Sequence, residues 1–443
     1  MIDPAFATNT ALSERLRGLL EAGAAFEPAA AAAGVEFEVF TQPGASRDPR
    51  ATADVVVTVN EINNQHGSGP LVKRLYEGRR NIFSIRTKND WGDHDFGDWS
   101  VCIPQRDRPR PECYRRVISA VGNRAVGHVL CVPFHSDELI TSIALRDAYR
   151  AKLAMYLMDD QNIAADTIPD GLMAEFLEKC DIRFLTHAEL RLAYERKYGL
   201  RCYVLPAVAP HRYVITAPVT VTEQHTDPRR GTLIGSFWDQ SWFDRTCNVL
   251  AGCDCRVDWY GNNKSPWLKF PAEDLERAGI DARGIVPEEE LARRLREYPF
   301  VIVPAAALDE QERNVGVARL SLPGRILFAV AASNTPVLLL GSEETCGARF
   351  VRRLDVGEVA PYDSAAVSAA MARLARPEIQ QRLRRNAARA AAGLSDAGIV
   401  EWLRTSIELG RPADDRFEKL FDGYDTAAVD RLNIQPYRPE SRS

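Results

Sequence analysis

No stretch of this chain could cross a bilayer. A spanning helix needs about 20 consecutive apolar residues, and the alanine tract at 29–33 is far shorter. Nothing at the N-terminus reads as a secretory signal, because Asp3 and Glu14 interrupt it and no continuous apolar core follows. Neither sign of charge dominates: 56 Lys and Arg stand against 61 Asp and Glu, for a formal net charge of −5. The two signs are interspersed without long blocks. A protein that held nucleic acid by neutralising phosphates would need the opposite balance, so no nucleic-acid partner is expected. The nine cysteines are odd in number and scattered, which suits reduced thiols in a cytosolic protein rather than a disulfide framework. Cys253 and Cys255 flank Asp254 in GCDC, but no second Cys/His pair lies at zinc spacing. That segment reads as a turn into a strand ending at Tyr260, and no metal site is expected. A GxGxxG fingerprint, a DxD motif in a suitable loop and a residue-level repeat are all missing.

What is present is alternation. With 443 residues, 45% of them hydrophobic, two domains are the natural expectation. Apolar strand-like runs fall at 55–59, 81–85, 129–134, 153–158, 182–185 and 202–205, with helical segments at 70–77, 112–120, 138–150, 171–180 and 188–198 between them. Strands alternating with helices imply parallel sheets covered on both faces. A looser stretch with Pro210, Pro218 and Pro228 follows. Strands are then expected at 232–236, 256–260, 283–286, 300–303, 337–341 and 357–360. Helices fit 239–250, 288–297, 324–332, 344–353 and 364–375, with a helical tail after about 378 that turns amphipathic around 399–409. The expected layout is an α/β chain with one Rossmann-like, doubly wound parallel-sheet domain over 1–210, a linker over 211–230, and a second such domain over 231–397. A helical segment at 398–443 would pack back toward the first. Ligands in such sheets bind at the carboxyl ends of the strands.

Four segments carry candidate chemistry. In NEINNQHGSGPLVKRLY, Gly67, Ser68 and Gly69 let backbone approach a ligand, Pro70 can take the first helical position, and His66 adds a titratable donor. The plainer reading is a tight strand-to-helix turn. In SLPGRIL, Ser321 is a plausible helix cap and Pro323 sits in the first turn. The start of that helix is an anion site with Gly324 and Arg325 beside it, unless Arg325 is simply a surface charge. In MYLMDD, Asp159 and Asp160 sit at a strand end; adjacent carboxylates point to opposite sides of an extended chain, so one faces a site. Their plainer reading is a helix cap or a loop pair. His135, after the strand in VLCVPFHSDEL, is a further candidate, whereas His128 reads as structural. Trp238 and Trp242 could stack on a base or sugar, or simply pack.

The order of these pieces resembles the nucleotide-sugar glycosyltransferases of the GT-B fold, especially family 4 and related bacterial rhamnosyltransferases. The resemblance covers most of the chain. GIVPEEEL, at 284–291, is the most specific match. MYLMDD, the glycine-containing strand end Gly235-Ser236-Phe237-Trp238 and the segment ending Thr335-Pro336-Val337-Leu338 support it. The resemblance implies two Rossmann-like domains facing across a cleft. It implies that backbone near Ile285 and Val286 meets the nucleobase, with Gly235, Ser236 and Trp238 on the donor side. Ser321, Pro323, Gly324 and Arg325 would meet the diphosphate, and His66, Gly67, Ser68 and Gly69 would face the diphosphate and sugar. This chain departs from the family pattern where two glutamates are usual, near Ser321 and near Phe328 or Ala329, since neither place is acidic. The Arg and Lys pair usual after the Gly235 position is also missing, in GSFWDQSWFDR.

The implied activity is hexosyl transfer from a nucleotide-diphosphate sugar to a saccharide, lipid-linked or other hydroxyl acceptor, in bacterial polysaccharide or glycoconjugate synthesis. The nucleotide-sugar is a substrate, so no cofactor is implied. The leaving diphosphate needs preorganised donors, which Arg325 and a helix start can supply without a metal. An inverting transfer also needs a base near the acceptor, for which Asp159 or Asp160 is the candidate and His135 a further one; His66 and Arg325 complete the catalytic candidates. A cytoplasmic location is implied, with contact at the inner face of the membrane left open. Two other readings share the architecture: a non-catalytic nucleotide-sugar-binding protein, which the missing glutamates favour, and a sugar-nucleotide epimerase, which needs no separate acceptor.

Overall fold

The structure is a computed structural model describing residues 37–46, 51–64, 67–90, 92, 96–237, 239–264, 268–312, 315–424 and 427–439. The chain divides into two compact units. The first runs to Leu205 and takes in Gly398–Asp415 and the chain from Val429; the second comprises Pro206–Ala397 and Arg416–Ala428.

The first unit is built on an eight-stranded sheet: β1 (Phe40–Thr41), β2 (Ala53–Thr58), β3 (Ile82–Arg86), β4 (Trp99–Cys102), β5 (Val126–Cys131), β6 (Lys152–Leu157), β7 (Ile182–Leu185) and β8 (Tyr203–Val204). Its order is β1-β4-β3-β2-β5-β6-β7-β8, parallel throughout except where β1 meets β4. The helices α1 (Ser68–Leu75), α2 (Arg110–Val121), α3 (Ser136–Tyr149), α4 (Asp170–Lys179) and α5 (Ala188–Tyr198) connect the strands. Strand β2 reads ADVVVT with five of six residues buried, as expected where helices cover both faces of β-branched strands. The order reverses at β2, which lies between β3 and β5, so the crevice of this sheet opens at the carboxyl ends of β2 and β5.

The second unit holds six parallel strands: β9 (Arg230–Ile234), β10 (Arg256–Tyr260), β11 (Ile280–Ala282), β12 (Val301–Pro304), β13 (Val337–Leu340) and β14 (Gly357–Ala360). They run in the order β11-β10-β9-β12-β13-β14, the doubly wound order, with its reversal between β9 and β12. Its helices are α6 (Gln240–Ala251), α7 (Ala272–Arg277), α8 (Glu288–Leu295), α9 (Val315–Leu320), α10 (Gly324–Ser333), α11 (Cys346–Leu354), α12 (Ser364–Leu374) and α13 (Pro377–Ala391). Trp259, Phe243 and Phe300 are fully buried in its core, each contributing about 1.5–3 kcal/mol by burial.

Helix α14 (Ile399–Leu409) belongs to the first unit, where Trp402 lies 5.4 Å from Phe184. Helix α15 (Arg416–Leu420) belongs to the second, where the neighbouring Phe421 meets Phe350. The proline-containing segment 211–230 lies against the second unit: the Ile215 amide donates to the Ala331 carbonyl, and His225 Nε2 meets the Arg296 carbonyl. Four elements were not anticipated: β1, β4, α7 and α9. The strand expected at 283–286 is a loop, with β11 ending at Ala282 instead.

Candidate functional site

In the second unit the site builds from the reversal of strand order. Strand β9 is buried from Gly231 to Ile234, and the chain then turns at Gly235, φ +80°. A side chain is disfavoured at that φ, and the space is not what forbids it: an added Cβ would lie 3.7 Å from Arg325 Cδ, an ordinary contact. Trp259 Nε1 donates to the Gly235 carbonyl at 2.8 Å and fixes the turn. Ser236 is exposed beside it, and Trp238 lies outside the described residues.

Arg325 reaches this turn from α10. Its Nη1 donates to the carbonyls of Ile234 and Ser236, at 3.2 and 3.1 Å. No carboxylate pairs with it among the described residues, and burial pushes the guanidinium down to about 10. It therefore stays protonated at neutral pH as a cation lacking an opposite charge, a condition that a bound anion relieves. The α10 N-terminus adds to this field. Its N-cap is Pro323, no side chain caps it, and no acid lies in its first turn. Two expectations change here. Ser321 does not cap the helix, because the helix starts three residues later, and Pro323 precedes the first turn rather than sitting in it. Gly324 is the first helical residue and is exposed.

The loop after β11 presents Ile285, 52% exposed, with Val286 half-buried behind it. The Gly284 carbonyl accepts from the Gly261 amide at 3.1 Å, tying this loop to the end of β10. An exposed isoleucine on a tethered loop is a flat apolar contact for a planar ligand. Trp242, by contrast, is buried, with its Nε1 3.2 Å from the Glu312 carboxylate. It packs and does not stack on a ligand.

In the first unit, α1 starts at Ser68 with Gly67 as its N-cap, so Pro70 is its third residue and not its first. An added Cβ on Gly69 would stand 1.9 Å from the Asn63 carbonyl oxygen. The glycine there serves its own loop rather than a ligand. Gly67 has open space around it. His66 lies outside the described residues.

The two aspartates after β6 separate clearly. Asp160, 2% exposed, accepts from the amides of Asn162, Ile163, Ala164 and Ala165 at 2.8–3.2 Å and from Tyr194 at 3.3 Å. Every lone-pair direction of that carboxylate is taken, so the catalytic role considered for Asp160 gives way to one of organising the loop. Asp159 is half-buried with no hydrogen bond or ion pair among the described residues. Burial and the neighbouring Asp160 carboxylate push it up to about 6. Such a carboxyl is poised for proton transfer near neutral pH.

His135 is the N-cap of α3, its amide donating to Glu138 Oε2 at 2.6 Å. Burial, and then the Lys88 ammonium, hold its imidazole below the usual range. His128 sits within β5 between Asp54, 3.1 Å away, and Glu408 of α14, 2.7 Å away. The reading of the sequence missed Lys88. Nothing in a lone lysine after a strand marks it; only the strand order brings it to His135.

No protein-family model and no curated protein matches the chain. Solved structures do. The chain is similar to sucrose-phosphate synthase from Thermosynechococcus elongatus, with a TM-score of 0.58 and 14% identity over 81% of this chain and 98% of that one. It is also similar to α,α-trehalose 6-phosphate synthase from Burkholderia multivorans, with a TM-score of 0.52 and 10% identity over 81% and 96%. Likeness at such low identity is likeness of fold. The chain has the α/β GT-B fold, with two Rossmann-like parallel-sheet domains.

Proposed function

We propose that the protein is a glycosyltransferase that moves a hexose from a nucleoside-diphosphate donor to a hydroxyl acceptor, without a metal ion. One observation carries this reading: Arg325, a cation without a carboxylate partner among the described residues, is fixed to the β9 turn beside an uncapped helix start. That is the equipment a departing diphosphate requires. As the glycosidic bond to the donor breaks, charge gathers on the phosphate oxygens. A guanidinium and helix amides already in place stabilise it with little reorganisation. The Ile285 loop supports contact with the nucleobase. Asp159 is the base assigned to the acceptor hydroxyl, which implies an inverting transfer. The absence of acids in the first turn of α10 is compatible with that route, since leaving-group stabilisation then rests on Arg325.

The family resemblance of GIVPEEEL and MYLMDD supports a saccharide or lipid-linked acceptor and a place in polysaccharide or glycoconjugate synthesis. All nine cysteines are free, as suits a reducing cytoplasm. Among the described residues no helix is long and apolar enough to cross a membrane.

Calorimetry with a panel of nucleoside diphosphates, with and without chelator, tests the reading. The best ligand should bind equally well with chelator present. Arg325→Ala should weaken it by about 1.5–3 kcal/mol, as expected for loss of a charge-assisted contact, while leaving the melting temperature within a few degrees. Unchanged affinity would remove Arg325 from the site and take the proposal with it.

A further inference from the structure

Along the carboxyl edge of the second sheet the strands run β11, β10, β9 and then β12. The exposed Ile285 follows β11, and the turn that holds Arg325 follows β9. The register of β12, Val301 against Thr232 and Ile302 against Leu233, carries its end alongside Ile234 and Gly235, one strand spacing, about 4.8 Å, away. In a nucleoside-diphosphate hexose the sugar lies across the diphosphate from the base. With the base at the β11 loop and the diphosphate at the β9 turn, the hexose falls against the chain that leaves β12.

That chain is strained and held. Leu308 has φ +56°, which is rare for a bulky side chain and costs energy. Such strain persists only where the surroundings fix it. At the near end, the Ala305 carbonyl accepts from the Tyr362 hydroxyl at 2.9 Å and the Ala306 carbonyl from the Ser342 amide at 2.8 Å. Gly341 makes room for both, since an added Cβ there would stand 2.6 Å from the Ala306 oxygen and 3.0 Å from the Ala305 oxygen. At the far end, the buried Glu312 accepts from Trp242 Nε1. Between them, Arg245 reaches over from α6. Its Nη1 and Nη2 donate to the two Asp309 carboxylate oxygens at 2.7 and 2.8 Å, and Nη2 also donates to Gln311 Oε1 at 3.3 Å. The Asp309 side chain is 49% exposed, so the pair adds little stability. A bidentate fork fixes direction as well as distance, and here it sets the backbone on either side of Asp309.

We infer that the loop over 306–311 is the wall against which the donor hexose is held, and that Arg245, through Asp309, is the residue that positions it. The inference rests on the donor reading above, because the base and diphosphate ends define where the sugar falls. The Arg245 fork is taken up by Asp309. It therefore acts on the sugar end and leaves the diphosphate to Arg325.

Calorimetry on the full chain tests this with UDP, GDP, ADP and dTDP, each against its glucose conjugate. For the best-bound pair, Arg245→Ala should weaken the conjugate about tenfold and leave the free diphosphate within about twofold, with the melting temperature little changed. Arg325→Ala should weaken both ligands. Asp309→Asn should match Arg245→Ala, and the double variant should be no weaker than either single, because the two act through one contact. Arg245→Lys keeps the charge without the fork and should not restore the conjugate's affinity. Should Arg245→Ala fail to fold, Asp309→Asn makes the same comparison. Equal loss for diphosphate and conjugate, no loss for either, additive losses in the double variant, or a wild type that binds a diphosphate but none of the conjugates would each overturn the inference. If diphosphate binding depends on Arg325 while the conjugate ignores Arg245, this inference alone fails. A wild type that binds no diphosphate removes the donor reading and this inference with it.

Discussion

Two adjacent carboxylates at the end of β6 serve opposite purposes. Asp160 gathers four loop amides and the Tyr194 hydroxyl. Removing its charge leaves those buried donors poorly matched, and Asp160→Asn should cost about 2–4 kcal/mol in urea unfolding. Asp159 has the reverse profile. Burial, and then the Asp160 charge, raise its carboxyl from 3.8 to about 6. A raised carboxyl contributes stability below its unfolded value, and that stability is lost as pH climbs through about 6. At neutral pH the ionised Asp159 therefore weakens the fold by at most about 3 kcal/mol, and by less because water reaches it. Asp159→Asn should stabilise the protein at pH 7.5 by about 1–2 kcal/mol while abolishing transfer, the trade expected of a functional site. For the wild type, kcat/KM should rise with pH through about 6 and level off above. A flat profile, or an active Asp159→Asn, would remove the base. The sequence shows the pair plainly, but which member is free depends on residues 162–165 folding back over Asp160, and no spacing rule encodes that.

Elements raise a different question, namely what a motif's residues are needed for. The HGSG segment looks like a ligand-cradling loop, yet Gly69 lies where any side chain meets the Asn63 carbonyl. Gly69→Ala should therefore lower stability by about 2 kcal/mol or more through overpacking, read as a fall in melting temperature. A ligand-facing glycine would instead weaken donor binding and spare the melt. Helix α14 rests on the first unit partly through His128, which bridges Asp54 and Glu408. Hydrogen bonding to Asp54 is the main cause raising this imidazole above its usual value, with Glu408 adding to it. A raised histidine contributes stability that is complete below its unfolded value near 6.5 and lost as pH rises through the folded value. His128→Ala should accordingly speed hydrogen exchange in α14 at pH 6 by several-fold, with the difference shrinking by pH 9. Glu408 is half-exposed, so the effect is about 1 kcal/mol at most. Periodicity made β2, β6, β7, α6 and α12 legible, because each buries a clear apolar set. It missed β4, whose four residues become a strand by pairing with β3, Phe83 opposite Trp99. A short run has no period of its own to read.

Across the whole molecule, the chain passes between its two units at 205/206, 397/398, 415/416 and 428/429. The restart of alternation at 231 was visible because it is local in sequence. The pairing of Trp402 with Phe184 joins residues more than two hundred positions apart, and no window of sequence contains both. This arrangement makes a prediction about truncation. Ending the chain after Ala397 strips Ile399, Trp402, Leu403 and Ile407, all nearly fully buried, from the first unit. At about 1.5–3 kcal/mol each, their loss is of the order of 6–12 kcal/mol, comparable with the whole stability of a domain. The second unit loses the buried Phe417 and Phe421 and their contacts, about half as many large apolar groups. The 1–397 chain should then show the first unit's peptides cleaved rapidly in limited proteolysis, with a core from the second unit surviving longer. An end point after Asp415 keeps α14 and should restore much of the first unit's resistance. Resistance indifferent to α14 would mean that the first unit's core is complete without it, and that the buried face of Trp402 contributes nothing that the sheet requires.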